Sequence, residues 1–189
     1  MVSMTKLAHE IIRASLGEGG LAIDGTAGNG HDTLVLAQLV GPTGRVWAFD
    51  VQPQALESTR NRLLAHKCHH VVELVHASHS ELMTVIPQRH HGEISGIMFN
   101  LGYLPHHDHA LTTRCETTIP AIQAALSLLR SGGALTVMTY RGHPGGEEEA
   151  SAVESLLDGL DPERFATFRW PEVTPTRGPR LSAVKKLLP

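Results

Sequence analysis

The sequence is short of aromatic residues and of cysteine. Phe, Trp and Tyr together make up 4% of the 189 residues. Cys68 and Cys115, the only cysteines, are too few for a disulfide framework and are not spaced as a metal or redox pair, so a reducing compartment is expected. No apolar run approaches the roughly 18 residues of a membrane span, and charged residues interrupt the apolar positions near the N-terminus. We therefore expect a cytoplasmic protein with no membrane partner.

The sequence also lacks an excess of positive charge. It has 16 Lys and Arg against 19 Asp and Glu, and its formal net charge is -3. This balance excludes a protein that holds nucleic acid mainly by bulk charge. Histidine is abundant, with 13 residues whose ordinary pKa of about 6.5 provides a reserve of positive charge at lower pH. Net charge alone therefore permits an RNA partner.

Apolar segments typical of strands alternate with segments of helical period over most of the chain. The predicted strands cover residues 21–23, 45–50, 71–75, 94–101, 134–140, 165–173 and 181–187. The predicted helices cover residues 4–16, 32–40, 53–66, 120–129 and 146–160, and Gly132 and Gly133 are expected to close the helix at 120–129. This order predicts an α/β fold: a seven-stranded, mostly parallel sheet with helices on both faces and a C-terminal antiparallel hairpin. A single domain over residues 1–189 is expected.

A glycine-rich turn follows the first predicted strand, at the edge where parallel sheets bind ligands. It runs from Asp24 to Gly30 as DGTAGNG, and its glycines let the main chain approach a ligand closely. It is not a GxGxxG motif, because Thr33 stands in place of the third glycine, and the chain has no GxxxxGK(S/T) motif. A phosphate-cradling loop is therefore disfavoured. A glycine-rich turn without a function is the alternative.

An acidic residue ends the second predicted strand. Asp50 lies twenty residues after Gly30, where a carboxylate can accept hydrogen bonds from ribose hydroxyls. Together with Asp24 and the glycine turn, Asp50 indicates a cofactor that contains a nucleoside and needs no grip on a pyrophosphate. S-adenosylmethionine is favoured over a nicotinamide cofactor on these grounds.

The fourth predicted strand reaches Asn100, within the segment FNLGYLP. Methyl transfer from a sulfonium needs an aligned, neutral nucleophile rather than strong acid or base chemistry. The side-chain carbonyl of an Asn can accept a hydrogen bond from an amine and leave the amine's lone pair aimed at the methyl carbon. An Asn that only caps its own turn is the alternative. Tyr103 and Tyr140 both follow strand ends, which favours stacking on a base or lining a substrate pocket over packing at the rim of the core.

Three motifs in order carry a resemblance to a known family: DGTAGNGHDT at 24–33, FNLGYLP at 99–105 and YRGHPGG at 140–146. They resemble the bacterial family of "putative rRNA methylases", and the likeness spans nearly the whole chain. Members of that family act as tRNA 5-aminomethyl-2-thiouridine methyltransferases. The resemblance therefore implies a Rossmann-like class I methyltransferase fold, which the seven strands and closing hairpin also favour over a dehydrogenase. It further implies S-adenosyl-L-methionine as cofactor, tRNA as partner, and N-methylation of the wobble aminomethyl group to methylaminomethyl. A homodimer is an expectation from the family alone.

The resemblance also implies which residues bind the cofactor. They are Asp24, Thr26, Ala27, Gly28, Asn29, Gly30, His31, Asp32, Thr33, Asp50, Gln52, Ser78 and Asn100. Four of them are expected to close over the methionine part: Asn29, His31, Asp32 and Thr33. Asp50 and Gln52 would hold the ribose and flank the adenine, and Ser78 would lie near the adenine edge. The chain departs from the commonest methyltransferase pattern at residues 76–78, which lack the usual acidic residue, and at Thr26, which replaces a glycine.

The substrate amine must lose its proton before it can attack, and burial or a nearby base would favour the neutral amine. The expected catalytic residues are Asn100, Tyr103, Asp108, Tyr140 and His143, and the expected substrate-binding residues are Tyr103, His106 and Arg141. Asn100 and Tyr103 would position the amine. His143 and Tyr140 would line the base pocket. Asp108 would bind or deprotonate the amine, and the other candidate bases are His106, His107 and His143.

The run from His106 to His109 raises the alternative of a metal site. These ligands are adjacent residues, unlike the i, i+4 pair of a helical zinc site, so a solvated lid is expected and no metal. Two broader alternatives stay open. One is a methyltransferase that acts on rRNA or a small metabolite, and the other is a non-catalytic module that binds a nucleoside or RNA.

Overall fold

The structure, a computed structural model, describes residues 3–102, 112–170 and 178–188. Its helices are α1 (Met4–Arg13), α2 (His31–Val40), α3 (Pro53–Ala65), α4 (Leu82–Val85), α5 (Cys115–Leu128) and α6 (Gly146–Asp158). Its strands are β1 (Leu21–Asp24), β2 (Arg45–Asp50), β3 (Val72–His76), β4 (Ile94–Asn100), β5 (Leu129–Thr139), β6 (Phe165–Trp170) and β7 (Arg180–Lys186). Short 3-10 turns lie at His69–Val71, His79–Glu81 and Gln88–His90.

The strands form one seven-stranded sheet in the order β3-β2-β1-β4-β5-β7-β6. Strands β1 to β5 pair in parallel with one another, whereas β7 is antiparallel to both β5 and β6. The predicted mostly parallel sheet and its closing hairpin are confirmed. The strand order reverses between β1 and β4, so the carboxyl ends of these two strands flank the crevice where open α/β sheets bind ligands.

Helices cover both faces of the sheet, because neighbouring residues of each strand point to opposite sides. On one face, Ile12 of α1, Leu36 of α2 and Leu63 of α3 pack in a cluster with Ala22 of β1. On the other face, residues of α4, α5 and α6 pack in a larger cluster that includes Ile23 of β1. The buried strands therefore sit between two apolar layers, as a parallel sheet requires.

Helix α5 begins five residues before its predicted start at Pro120. In the structure the helix begins at Cys115, and Pro120 lies inside it. The backbone N–H groups of Thr117 and Thr118 both donate to the Arg114 carbonyl, at 3.0 and 2.9 Å, and close the first turn. The proline lacks an N–H, so the carbonyl four residues earlier loses its helical partner, and this loss is tolerated here near the start of the helix.

Strand β5 also begins earlier than predicted, and Gly132 and Gly133 do not end α5. The helix ends at Leu128, and Leu129 already pairs with Ile94 of β4 before the register shifts at Gly96 and Ala134. The intervening residues form an irregularity in the strand, where a Cβ on Gly133 would lie 2.9 Å from the Ile94 carbonyl oxygen. The glycine pair therefore serves a close backbone contact within β5.

The remaining predicted helices and strands agree with the structure to within about one helical turn at each end. Helix α4 and the 3-10 turns were not predicted, because they are too short to show a period. The predicted strand at 165–173 is described as far as Trp170, and its last residues lie outside the described ranges. Among the described residues, no helix is both long and apolar enough to cross a bilayer.

Candidate functional site

A pocket of about 610 Å³ opens at the carboxyl ends of the parallel strands. Its walls come from the segments that follow β1, β2, β3, β4 and β5, and from the start of α5. Twelve of the residues predicted for the site line it: Thr26, Ala27, Gly28, Asn29, His31, Asp32, Asp50, Gln52, Ser78, Asn100, Tyr140 and His143. The fold therefore gathers most of the predicted set around one cavity.

Asp24 stabilises the glycine turn through hydrogen bonds and does not line the pocket. Its side chain is fully buried and accepts hydrogen bonds from the Thr26 backbone N–H at 3.0 Å and the Thr33 hydroxyl at 2.6 Å. Burial, with the nearby negative charge of Asp32, raises the pKa of Asp24 to about 7. Asp24 and Thr33 stabilise the turn and do not line the pocket, so their placement does not support the predicted contact with the cofactor.

Gly30, the last residue of the turn, packs against α3. Its φ is +76°, and a Cβ there would lie 2.8 Å from the Thr59 Cα. The Thr59 hydroxyl donates to the Gly28 carbonyl at 3.0 Å, and Arg62 Nε donates to the Asn29 carbonyl at 2.7 Å. Gly30 makes room for α3 and does not line the pocket, whereas Gly28 and Asn29 do, so its placement does not support the predicted contact with the cofactor.

Asp50 lies on the pocket wall at the end of β2. Its two carboxylate oxygens accept from the backbone N–H groups of Gly28 and Gln52, each at 2.9 Å. Burial raises the pKa of Asp50, while these hydrogen bonds act in the opposite direction. A carboxylate has about four acceptor sites, so both oxygens keep capacity for further donors such as ribose hydroxyls. Val51 beside it lines the pocket although its side chain is largely exposed, which provides an apolar surface for a planar ring.

The segment after β3 contributes Ser78 and His79. The Ser78 hydroxyl accepts a hydrogen bond from the Ser80 N–H and caps the turn at His79–Glu81. Ser78 therefore has a structural role in addition to lining the pocket. His79 was missed by sequence analysis, although it lies next to a predicted site residue. Its Nδ1 lies 3.2 Å from the Gly25 carbonyl oxygen, its ring packs edge-on against Phe99, and burial lowers its pKa.

Asn100 joins the β4 end to the glycine turn. Its backbone N–H donates to the Thr26 hydroxyl at 2.7 Å, and its side-chain Nδ2 lies 3.5 Å from Asp32 Oδ2. Tyr140, on the adjacent wall, is largely buried, and burial together with the charge of Asp32 raises its pKa, so it stays a neutral phenol. His143 completes this wall, with its Nδ1 3.1 Å from the Pro144 carbonyl oxygen.

Asp32 is further held by a residue that sequence analysis assigned to no site. His9 of α1 places its Nε2 2.6 Å from Asp32 Oδ1. His31, on the other side of Asp32, places its Nε2 3.0 Å from Arg62 of α3, and burial and this guanidinium lower the pKa of His31. No motif signals His9, because its partner is 23 residues away along the chain.

Arg141, predicted to bind the substrate, lies against α6. Its guanidinium pairs with Glu147 and, at 2.8 Å, with Glu154, both on α6. Arg141 is not among the residues that line the pocket. The ion pairs direct it along the helix surface, so its placement does not support the predicted contact with the substrate. A different arginine, Arg114 at the start of α5, lines the pocket.

Gly102 and Thr113 are joined by a hydrogen bond, and a buried carboxylate, Glu149, holds Thr113 in place. Thr113 Oγ1 accepts from the Gly102 N–H and donates to Glu149 Oε2, both at 2.8 Å. Glu149 also accepts from the Thr118 hydroxyl at 2.6 Å. Three predicted site residues, Tyr103, His106 and Asp108, lie between these anchors and outside the described residues, as do His107 and His109. Within the described ranges, no group of three His, Cys, Asp or Glu side chains could hold a metal ion.

Comparison with known families gives a match over most of the chain. The model of the family described as "Putative rRNA methylase" matches residues 46–185. A protein of Arabidopsis thaliana named "tRNA (mnm(5)s(2)U34)-methyltransferase, chloroplastic" is 36% identical over 164 residues, which are 82% of this chain and 59% of that protein. A "Ribosomal RNA small subunit methyltransferase H" of Acinetobacter baylyi is 33% identical over 107 residues, 54% of this chain and 33% of that protein. The chain thus spans less than two thirds of these relatives.

Two solved structures match the fold end to end. A "putative rRNA-methylase" from Clostridium thermocellum superposes with a TM-score of 0.93 at 36% identity, covering 99% of both chains. A "putative methyltransferase" from Streptococcus mutans, solved in complex with SAH, superposes with a TM-score of 0.87 at 33% identity, again covering 99% of both chains.

Proposed function

The chain belongs to the "Putative rRNA methylase" family, and from this premise we propose that it is a tRNA methyltransferase. In this proposal it uses S-adenosylmethionine to N-methylate the 5-aminomethyl group of the wobble uridine or 2-thiouridine, giving the 5-methylaminomethyl nucleoside. One observation carries the proposal: Asp50, whose carboxylate suits the ribose of a nucleoside, and Asn100, whose amide suits an amine, line the same pocket.

S-adenosylmethionine is the cofactor, and the pocket suits it. The Asp50 carboxylate keeps acceptor capacity for the ribose, and Val51 offers an apolar surface beside it for the adenine. Asn29 and His31 stand at the end of the glycine turn, where the methionine part would lie. The bound cofactor supplies a sulfonium methyl group: a new N–CH3 bond forms as the S–CH3 bond breaks, and the electron pair of the broken bond stays on sulfur.

The acceptor wall suits a primary amine. Asn100 can accept a hydrogen bond from the neutral amine and hold it in line, and Tyr140 is a neutral phenol that can pack against a base or donate to it. The partly buried setting favours the neutral form of the amine, which can attack, over the ammonium form, which cannot. After attack the secondary ammonium releases one proton to solvent, which balances the reaction.

One comparison favours tRNA over ribosomal RNA, and one residue of the pocket suits RNA of either kind. The relative named for the tRNA reaction matches 82% of this chain, whereas the relative named for the ribosomal RNA reaction matches 54%. Arg114, at the pocket mouth, makes no ion pair within the described residues and offers a cation for a phosphate. A net charge of -3 means that such contacts must be local.

The test is incubation of the purified protein and labelled S-adenosylmethionine with undermodified tRNA and, in parallel, with small ribosomal subunits. Digested RNA is then analysed by nucleoside mass spectrometry. We expect label in the 5-methylaminomethyl nucleoside of tRNA and none in rRNA. Label in rRNA alone would replace the substrate with the ribosomal one. Binding of S-adenosylhomocysteine without turnover on either RNA would favour the non-catalytic alternative.

A further inference from the structure

His9 of α1 contacts the pocket only through another side chain. Its Nε2 lies 2.6 Å from Asp32 Oδ1, and the side chains of His9 and Asp32 are 17% and 10% exposed. Asp32 lines the pocket, whereas His9 does not. The helix that carries His9 is otherwise fixed by its apolar face, in which Ala8 and Ile12 are buried. Packing of α1 therefore does not by itself require a histidine at this position.

The chemistry of the carboxylate decides which atoms carry hydrogen along this contact. An ionised carboxylate only accepts hydrogen bonds, so His9 Nε2 is the donor to Asp32 Oδ1. The same reasoning applies on the other side, where Asp32 Oδ2 faces Asn100 at 3.5 Å. An amide that turned its own oxygen toward Asp32 would set two acceptors against each other. Asp32 therefore selects the orientation in which Nδ2 faces the carboxylate.

This selection leaves the Asn100 carbonyl oxygen for the substrate. No group in the described ranges donates to Asn100 Oδ1. An Asn amide can otherwise flip, since its two ends have nearly the same shape, and the flipped form would present hydrogens where the amine needs an acceptor. The 3.5 Å contact is the longer of the two that connect His9, Asp32 and Asn100, and such contacts commonly tighten when ligands bind.

We propose that His9 and Asp32 are positioning residues, which act in series to hold the Asn100 amide with its oxygen toward the substrate's amino group. This inference rests on the proposed function, because it assigns the acceptor to a primary amine. It also changes the expected role of Asp32 from a contact of the methionine part of the cofactor to a support for Asn100.

Four variants test the proposal kinetically. His9→Leu removes the donor, and His9→Gln keeps a neutral N–H donor of similar reach. Asn100→Ala removes the group that is held, and Arg13→Ala changes an exposed residue of the same helix as a control. For His9→Leu we expect kcat to fall roughly 10- to 100-fold, as is typical when a supporting hydrogen bond is lost, with KM for tRNA and affinity for S-adenosylhomocysteine changed less than about 3-fold. His9→Gln should restore most of kcat, and Arg13→Ala should match the unchanged protein.

A double-mutant cycle separates positioning from a general structural effect. In the Asn100→Ala background, His9→Leu should cost no further activity, because the group it positions is gone. Additive losses, equal losses for His9→Leu and His9→Gln, or a loss of S-adenosylhomocysteine affinity that parallels the loss of kcat would each overturn the proposal. The last of these results would instead support a direct contact between Asp32 and the cofactor.

A measurement without substrate keeps this test separate from the proposed function. The side-chain amide signal of Asn100 can be assigned in a 15N–1H spectrum by its absence in Asn100→Ala. We expect His9→Leu to shift and broaden it and His9→Gln to leave it near its original position. An unchanged signal in folded His9→Leu protein would overturn the positioning role even if tRNA is methylated. A shifted signal in a protein that methylates no tRNA would uphold the geometry and remove the proposed function.

Discussion

The two halves of the pocket are supported in different ways. The cofactor half consists of the turn at 24–33 and of Asp50. Within it, Asp24 accepts a hydrogen bond from Thr33, and Thr59 of α3 donates one to the Gly28 carbonyl. The acceptor half, made of Asn100, Tyr140 and His143, depends on residues far away in the chain, such as His9. The first half is held mainly by hydrogen bonds between side chains and the backbone of the turn, and the second by a series of side-chain contacts from His9 through Asp32 to Asn100. Substitutions should therefore separate binding from turnover.

The largest expected effect is on the acceptor half. Asn100→Ala removes the acceptor for the amine, and we expect kcat on tRNA to fall roughly 100- to 1000-fold because alignment at the methyl carbon is lost. Affinity for S-adenosylhomocysteine, measured by calorimetry, should change less than about 3-fold, since the ribose and adenine walls are untouched. Unaltered turnover in a variant that still binds S-adenosylhomocysteine would contradict the division into two halves.

The second largest effect is expected for a substitution in the cofactor half, Asp50→Asn. In Asp50→Asn one end of the amide presents hydrogens to the N–H of Gly28 or Gln52, so the turn loses a hydrogen bond and the ribose loses an acceptor. We expect affinity for S-adenosylhomocysteine to fall roughly 10- to 100-fold, which corresponds to about 1.5–3 kcal/mol for hydrogen bonds to a charged group. At saturating cofactor, kcat should recover. A loss of kcat that saturating cofactor does not restore would contradict the separate roles of the two halves in binding and turnover.

Gly30 and Gly92 form a matched pair for the support behind the turn. Both have a left-handed φ, +76° and +78°, but a Cβ would meet Thr59 at Gly30 and nothing within 4 Å at Gly92. Both Ala variants should lose about 1 kcal/mol of stability from backbone strain, and Gly30→Ala should lose about 1–3 kcal/mol more from the clash with α3. Thermal unfolding measures the difference. Equal losses would show that α3 does not press on the turn.

The smallest expected effect is a pH dependence from Asp24. Burial and Asp32 raise its pKa from the ordinary 3.8 to about 7, so the folded chain retains a proton that the unfolded chain has released between these values. Asp24 therefore costs no stability below its ordinary pKa, and the cost grows as pH rises toward 7. Asp24→Asn cannot ionise. The melting temperature of Asp24→Asn relative to the unchanged protein should therefore increase between pH 5 and pH 8, and a constant difference would contradict the raised pKa.

The cofactor half was more predictable from the sequence than the acceptor half, for a physical reason. The turn and Asp50 are contiguous motifs at strand ends, and strand ends follow from periodicity. His9, Glu149 and Thr113 act on the acceptor half through contacts between distant segments, which no local pattern encodes. Arg141 is the reverse case: it lies inside a motif, but distant carboxylates on α6 pair with it and its predicted contact with the substrate gains no support.

Element types were predictable where one period dominates. β2 was predicted at the residues where it lies, because its apolar run ends at Asp50 before a first-turn proline. The starts of α5 and β5 were missed because Pro120 and the Gly132-Gly133 pair have ordinary local meanings that tertiary contacts override here. The single domain, the homodimer and the roles of Tyr103, His106 and Asp108 remain predictions from sequence.

The most direct test of the proposed reaction uses two anticodon stem-loops that differ only at the wobble base. One carries 5-aminomethyl-2-thiouridine and the other carries 2-thiouridine, and each is incubated with the protein and S-adenosylmethionine before mass analysis. The account predicts that the first gains one CH2 group on the aminomethyl nitrogen and that the second is unchanged. No gain on the first, or an equal gain on both, would contradict it.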